Sequence, residues 1–357
     1  MGTVMTVLGP MDSSQLGKTL SHEHIFCDFT CFLLEPKTPE DAAFMEEPVT
    51  LDNLWRMKVD PYSNRDECRL DSMETAVKEI NWFKEAGGST ITEVSLEGSG
   101  RDVVRLAEVS RKTGVNIICA TGHYIDPTLP DYVRTATEDQ LTDQYIREIR
   151  HGIGDTGIRP GIIGEIGTSY VITPDEIKVL RAAARAQRET NLALTIHLDP
   201  GARRGHEVLD ILIREEGVKP EKIILGHPEF ALAHKDIDFY EGVDYMISLA
   251  NRGCYVEFEL CGNTTVYKKE PPLSSWVLPT DLQRTIAIRM LCNRGFSDRI
   301  VLSHDQGLKH FLRSYGGWGY SHVITDFQIF LAEAGIEPHI AKKFNVDNPA
   351  RYLTFDE

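Results

Sequence analysis

A single α/β barrel of the (β/α)8 type is the fold that this 357-residue chain predicts. Three observations point there. Short, β-branched apolar runs recur along the whole chain. Amphipathic stretches of helical period separate them, which implies parallel strands joined by crossover helices. No Gly/Ser-rich linker and no repeat of solenoid period divides the sequence, so residues 1–357 read as one domain. The length suits two or three ordinary domains, but one barrel routinely reaches it.

The expected strands lie at residues 19–25, 89–94, 116–121, 161–166, 192–197, 222–226, 253–258 and 299–303. Helices are expected at 73–86, 102–113, 138–151, 174–189, 205–216 and 282–294. Pro174 suits a first helical position, and Asp175 and Glu176 suit the positive end of that helix. Gly87 and Gly88 follow Lys84-Glu85-Ala86 as a helix stop. Residues 33–64 are long, Pro-containing and mixed in charge, and read as an insertion between the first strand and the first helix. Residues 261–280 follow the seventh strand, contain Pro271, Pro272 and Pro279, and are expected to form a lid.

Composition narrows the function classes. Apolar residues make up 41% and charged residues 26%, as in a soluble globular protein. Lys+Arg number 38 against 54 Asp+Glu, a formal charge of −16. Nucleic acid binds through clustered cations and anionic membranes through basic patches, so neither is expected as a partner. A small-molecule substrate remains. No run of about 18 apolar residues predicts a membrane span, and no basic n-region with an apolar core predicts a signal peptide. Seven scattered cysteines without a CxxC fit a reducing cytosol, so a cytoplasmic location is expected. Cys119 sits in an apolar run and reads as packing.

The residues that close the strands carry the chemistry. The first strand ends Ser21-His22-Glu23-His24, and alternation puts His22 and His24 on one side with Glu23 on the other. The fourth ends in Glu165, the fifth in His197, the sixth in His227, and the eighth in Ser303-His304-Asp305. Barrel active sites lie at the C-terminal ends of strands, so four imidazoles and two carboxylates converge there. Singly, each is an ordinary core or loop residue. Together, without a cation, their desolvation would cost several kcal/mol. Divalent metal removes that cost. The N/O donors suit Zn²⁺, with Mn²⁺, Fe²⁺ or Co²⁺ as alternatives. Six ligands exceed the needs of one catalytic zinc, and two metals sharing a carboxylate explain the excess.

The sequence also resembles a known family, the phosphotriesterase-like branch of the amidohydrolase superfamily. The likeness runs over nearly the whole chain. It is carried by Thr3-Val4-Met5-Thr6-Val7-Leu8-Gly9-Pro10, by Leu20-Ser21-His22-Glu23-His24, by Gly100-Arg101-Asp102 and by Gly122-His123-Tyr124. It continues through Gly164-Glu165-Ile166-Gly167, Ile196-His197, Gly226-His227, Ser303-His304-Asp305, the phrase from Tyr315 to His322, and Asn348-Pro349-Ala350-Arg351. The resemblance implies that His22, His24 and Asp305 hold the more buried metal and that His197 and His227 hold the more exposed one. Glu165 would bridge them, where the best-known members carry a carbamylated lysine. Tyr124 stands where lactonase members carry an aromatic residue, which implies a substrate contact. Relatives are commonly homodimers, which is therefore expected here.

The expected chemistry is hydrolysis, with a metal-bridging hydroxide attacking a carbonyl carbon and Asp305 accepting the proton. His304 stays outside the ligand set. A lactone or carboxylic ester is the first reading of the substrate. An N-acyl amide is the alternative, an organophosphate triester a further one, and a non-enzymatic binding protein the last. Tyr267 and Trp276 are expected to shape the leaving-group side. Lys268, Lys269, Arg203 and Arg204 read as solvated surface charge.

Overall fold

The computed structural model describes residues 2–268 and 275–355. Its centre is an eight-stranded parallel sheet: β1 (Thr19–Glu23), β2 (Thr90–Glu93), β3 (Asn116–Thr121), β4 (Ile162–Gly167), β5 (Ala193–His197), β6 (Ile223–Gly226), β7 (Tyr255–Phe258) and β8 (Ile300–Leu302). The strands follow one another in sequence order. Helices surround them, giving the (β/α)8 barrel. Every expected strand is present within two residues of its bounds.

β1 and β8 are the edges of the sheet, and side chains join them. Ser21 Oγ donates to the Leu302 carbonyl at 3.2 Å, and the His22 N–H donates to Ser303 Oγ at 3.0 Å. Buried Asn345 spans the seam, with Nδ2 donating to the carbonyls of both Thr19 and Leu302 at 2.9 Å. Opposite the site, a hairpin of Thr3–Thr6 and Gly9–Asp12 covers the barrel floor and pairs at Thr3 with Phe355.

The outer helices begin and end where local chemistry dictates. The helix Pro174–Thr190 carries a capping box between Thr173 and Glu176 and ends on Asn191 in the left-handed region. The helix Met73–Glu85 starts on Ser72, whose hydroxyl accepts from the Thr75 N–H. Residues 205–216 depart from one regular helix: Gly205–Leu209 is α-helical, and Asp210–Glu215 widens into π turns. The helix Phe239–Ala250, between β6 and β7, was not among the expected ones. It buries one face through Gly242, Val243, Met246, Leu249 and Ala250, with Tyr240, Tyr245 and Ile247 off or beside that face, and Asp238 and Glu241 form a capping box that marks its start.

The insertion after β1 folds into two short helices, Pro39–Met45 and Leu54–Met57, around a small core of Phe44, Val49, Leu54 and Met57. After β7, Val266–Tyr267 pairs antiparallel with Trp276–Val277. Lys269, Pro271 and Pro272 lie outside the described residues, so the expectation of a lid falls partly beyond them. Among the described residues, no helix is long and apolar enough to cross a membrane.

Candidate metal centre

All six predicted ligands meet at the C-terminal end of the barrel. They form two groups, His22 with His24 and Asp305, and Glu165 with His197 and His227; within each group the ligand atoms lie within 4.8 Å of one another. Glu165 stands between the groups. Its Oε1 is 2.9 Å from His197 Nδ1, 3.4 Å from His227 Nε2 and 3.5 Å from His22 Nε2, and its Oε2 is 3.8 Å from His24 Nε2. Asp305 Oδ1 is 3.1 Å from His24 Nε2 and 3.8 Å from His22 Nε2.

Local backbone explains why these residues stand here. Gly164 has φ +97°, and a Cβ on it would lie 2.1 Å from the Thr195 carbonyl oxygen, so only glycine lets Glu165 enter from β4. His227 and Asp305 are themselves left-handed, at φ 63° and 52°. Few residues other than glycine adopt that region, His and Asp being among the more tolerant, and such backbone concentrates at functional sites.

The donor set fits a divalent cation. His22 is fully buried and its Nε2 has no hydrogen-bond partner. A buried imidazole nitrogen facing two carboxylates without a bond is what a cation between them satisfies. Electrostatics agree. Burial pushes the His22 imidazole down, but Glu165, Glu257 and Asp305 outweigh it and raise its pKa to about 10. Burial and the neighbouring His227 lower His197 to about 4. Burial also pushes Glu165 up, and the imidazoles of His22, His197 and His227 more than reverse it, leaving its carboxyl well below the ordinary range.

The residues behind the ligands were not identified from sequence. His22 Nδ1 lies 3.3 Å from Glu257 Oε2, and His24 Nδ1 lies 2.8 Å from Ser95 Oγ, which donates in turn to Glu93. Glu259 Oε1 accepts from the His227 N–H at 2.5 Å and lies 2.6 Å from its Nδ1. Two acids at alternate positions in the apolar run Tyr255-Val256-Glu257-Phe258-Glu259 were the available signal. Burial, with Glu229 and Glu257 nearby, raises Glu259 to about 8 against the pull of His227. Glu23 points away from His22 and His24 as alternation required. It binds Ser303 Oγ, the His304 and Gln306 N–H groups and His304 Nδ1 across the seam. His304 is thus engaged in structure and lies outside both groups.

A pocket opens directly over the two groups. Its lining includes His24, Glu165, His197, His227 and Asp305 below and Phe29, Phe32, Tyr62, Tyr124, Phe230, Tyr267 and Trp276 around. Successive rings stand 5.1–6.2 Å apart from Tyr124 through Phe29, Phe32, Tyr62, Tyr267 and Trp276 to Phe230. Tyr124 OH is 3.1 Å from His197 Nδ1. Among the described residues no Lys or Arg lines this pocket. Lys268 pairs with Asp60 at 2.9 Å and Arg204 with Glu207 at 2.6 Å, as surface charges do.

Comparison with known proteins agrees with this architecture. The model of the phosphotriesterase family matches residues 2–353. The N-acetyltaurine hydrolase of Rattus norvegicus is 36% identical, over 99% of this chain and 98% of its own. Among solved structures, a resiniferatoxin-binding protein from Rhodobacter sphaeroides superposes with a TM-score of 0.93 at 35% identity, covering 99% of this chain and 95% of the other. A lactonase from Listeria monocytogenes superposes with a TM-score of 0.74 at 26% identity, covering 99% and 100%. The chain therefore belongs to the phosphotriesterase family of metal-dependent hydrolases.

Proposed function

We propose that this chain hydrolyses a neutral lactone or carboxylic ester at a binuclear centre held by His22, His24, Glu165, His197, His227 and Asp305. The observation that carries the reading is the aromatic pocket over the two groups, with no cationic side chain among its described lining. An apolar wall favours an uncharged acyl substrate, because a charged one would lose its hydration without a partner. Two divalent cations, zinc by the donor set, would supply Lewis acidity and an ionisable water near neutral pH.

The protein's own residues supply the rest. Asp305 is the more accessible of the two carboxylates, at 20% side-chain exposure against 4% for Glu165. It is the group placed to accept the proton lost by the attacking water and to return it to the leaving oxygen. His24 holds the Asp305 carboxylate in place. Tyr124, hydroxyl toward His197, lies where a substrate carbonyl would enter and orients it. Phe230 and Trp276 keep bulk water from that side.

A second reading is N-acyl amide hydrolysis, favoured by the 36% identity to an N-acetyltaurine hydrolase. The same carbonyl chemistry serves it, but an amide with an anionic tail would meet no cation in the described wall. Zinc-loaded protein assayed side by side on γ- and δ-lactones, aryl esters, N-acyl amides and phosphotriesters decides between them. The ester reading expects kcat/KM at least tenfold higher on lactones or esters. Preference for the amide panel would replace it with the second reading.

A further inference from the structure

Glutamates grip histidines in this fold in a recurring way. Glu23 Oε1 accepts from the backbone N–H of His304 at 3.0 Å and from its ring Nδ1 at 2.7 Å. Glu67 Oε1 does the same to His310, accepting from its N–H at 3.2 Å and from Nδ1. The consequence for the ring is visible at His304. Its Nε2 accepts from the Val323 backbone N–H at 3.0 Å, so the ring proton sits on Nδ1 and the lone pair on Nε2. Thr265 Oγ1 meets His310 Nε2 at 2.7 Å.

The end of β7 brings one half of the device to each of two histidines of the metal centre. Glu257 and Glu259 alternate along the chain and so share a side. Glu257 Oε2 meets His22 Nδ1 at 3.3 Å. Glu259 Oε1 takes the backbone N–H of His227 at 2.5 Å and lies 2.6 Å from its Nδ1. At His227 the backbone bond is aligned, while the ring contact is close but off the hydrogen-bond axis. Both glutamates are fully buried, as is His22, and His227 is 6% exposed. Each histidine then turns Nε2 toward Glu165, at 3.5 Å and 3.4 Å. The two histidines belong to different metal groups. The other two are held differently: His24 Nδ1 meets Ser95, and His197 faces Glu165 through Nδ1 itself.

We infer that Glu257 and Glu259 are positioning residues for the metal centre, one for each group. Glu257 orients His22 through its Nδ1, and Glu259 orients His227 through its backbone N–H with the carboxylate close against Nδ1; each leaves Nε2 as the ligand atom. The inference rests on the binuclear reading above. It goes further, in assigning each metal its own carboxylate from a strand that contributes no ligand.

Zinc titration of the full-length chain against a chromophoric chelator tests it, with wild type, Glu257→Gln, Glu257→Leu, Glu259→Gln, Glu259→Leu and Glu67→Gln compared. Wild type is expected to bind two equivalents. Glu259→Leu should weaken one of them by roughly 10–100-fold and spare the other. Adding Glu257→Leu should weaken the remaining one. The glutamines keep an oxygen that accepts from N–H, so they should lose only about threefold to tenfold, on the same single equivalent. Glu67→Gln weakens a grip on a histidine outside both groups in the same way and should change neither. If a leucine variant melts before assay, its glutamine counterpart against Glu67→Gln decides. Unchanged affinities, or equal weakening of both equivalents by one substitution, overturn the inference. Failure of wild type to bind two equivalents overturns the binuclear reading instead.

Discussion

Nε2 of His22 lies 3.5 Å from Oε1 of Glu165 in the protein interior, and no hydrogen bond meets that nitrogen. Glu165 reaches the ring nitrogens of all four histidines within 3.8 Å. Removing it should therefore empty both groups, not one. Glu165→Ala is expected to lose both zinc equivalents on dialysis, whereas His197→Ala should lose one. Hydrolysis should fall with metal content by about 10³-fold or more, since Lewis-acid stabilisation is worth several kcal/mol. Elemental analysis beside the hydrolysis assay checks this. Full activity in metal-free protein would end the metal reading.

The convergence of these six residues was legible because each member closes a strand, and in a barrel strand ends converge whatever lies between them. The groups behind it were not. Glu257 and Glu259 sit on a strand that carries no histidine, and pairing an acid with one imidazole among four needs the strand order and tilt. The aromatic wall was half legible. Tyr267 and Trp276 fall in the loop after β7, but Phe29 and Phe32, just past β1, and Tyr62, inside the insertion, reach the pocket through a loop whose path the periodicity does not give. The helix Phe239–Ala250 buries one face, but Tyr240, Tyr245 and Ile247 lie off or beside that face and blur its periodicity. The seam residue Asn345 gave no signal at all, since its two partners are carbonyls more than 40 residues away along the chain.

Tyr124 places its hydroxyl 3.1 Å from His197 Nδ1, at the edge of the pocket. A hydroxyl that orients a carbonyl contributes one hydrogen bond, worth about 0.5–1.5 kcal/mol. Tyr124→Phe should then lower kcat about threefold to tenfold on the best ester or lactone while preserving metal content. Tyr124→Ala, which also removes the ring beside Phe29, should raise KM as well. Steady-state kinetics on both variants check the split, and equal kinetics in Tyr124→Phe and wild type would exclude the hydroxyl from the reaction.

Asn345 is one of the side-chain clasps between β1 and β8. Asn345→Ala strips two hydrogen bonds from buried strand carbonyls, which should cost about 2–3 kcal/mol. Urea unfolding should show this as a lower midpoint with little change in slope. A loss below about 0.5 kcal/mol would mean that the Glu23 contacts across the same seam suffice.

His123 sets a pH dependence independent of metal. Its ring is buried, with Nδ1 2.6 Å from Tyr145 OH and Nε2 2.9 Å from Tyr132 OH. Burial first, and the Arg101 charge second, lower its pKa from 6.5 to about 3. Below pH 6.5 the unfolded chain takes up a proton that the folded chain refuses, so stability is complete above that pH and falls as pH drops toward 3. Between pH 6.5 and 5 the folded state should lose about 2 kcal/mol through this group. His123→Gln keeps a donor and an acceptor but does not titrate. It is expected to be less stable than wild type at pH 7.5, and the gap should narrow by about 2 kcal/mol at pH 5. Paired urea titrations at the two pH values measure that narrowing, and parallel pH profiles would show that His123 titrates as freely in the folded chain as in the unfolded one.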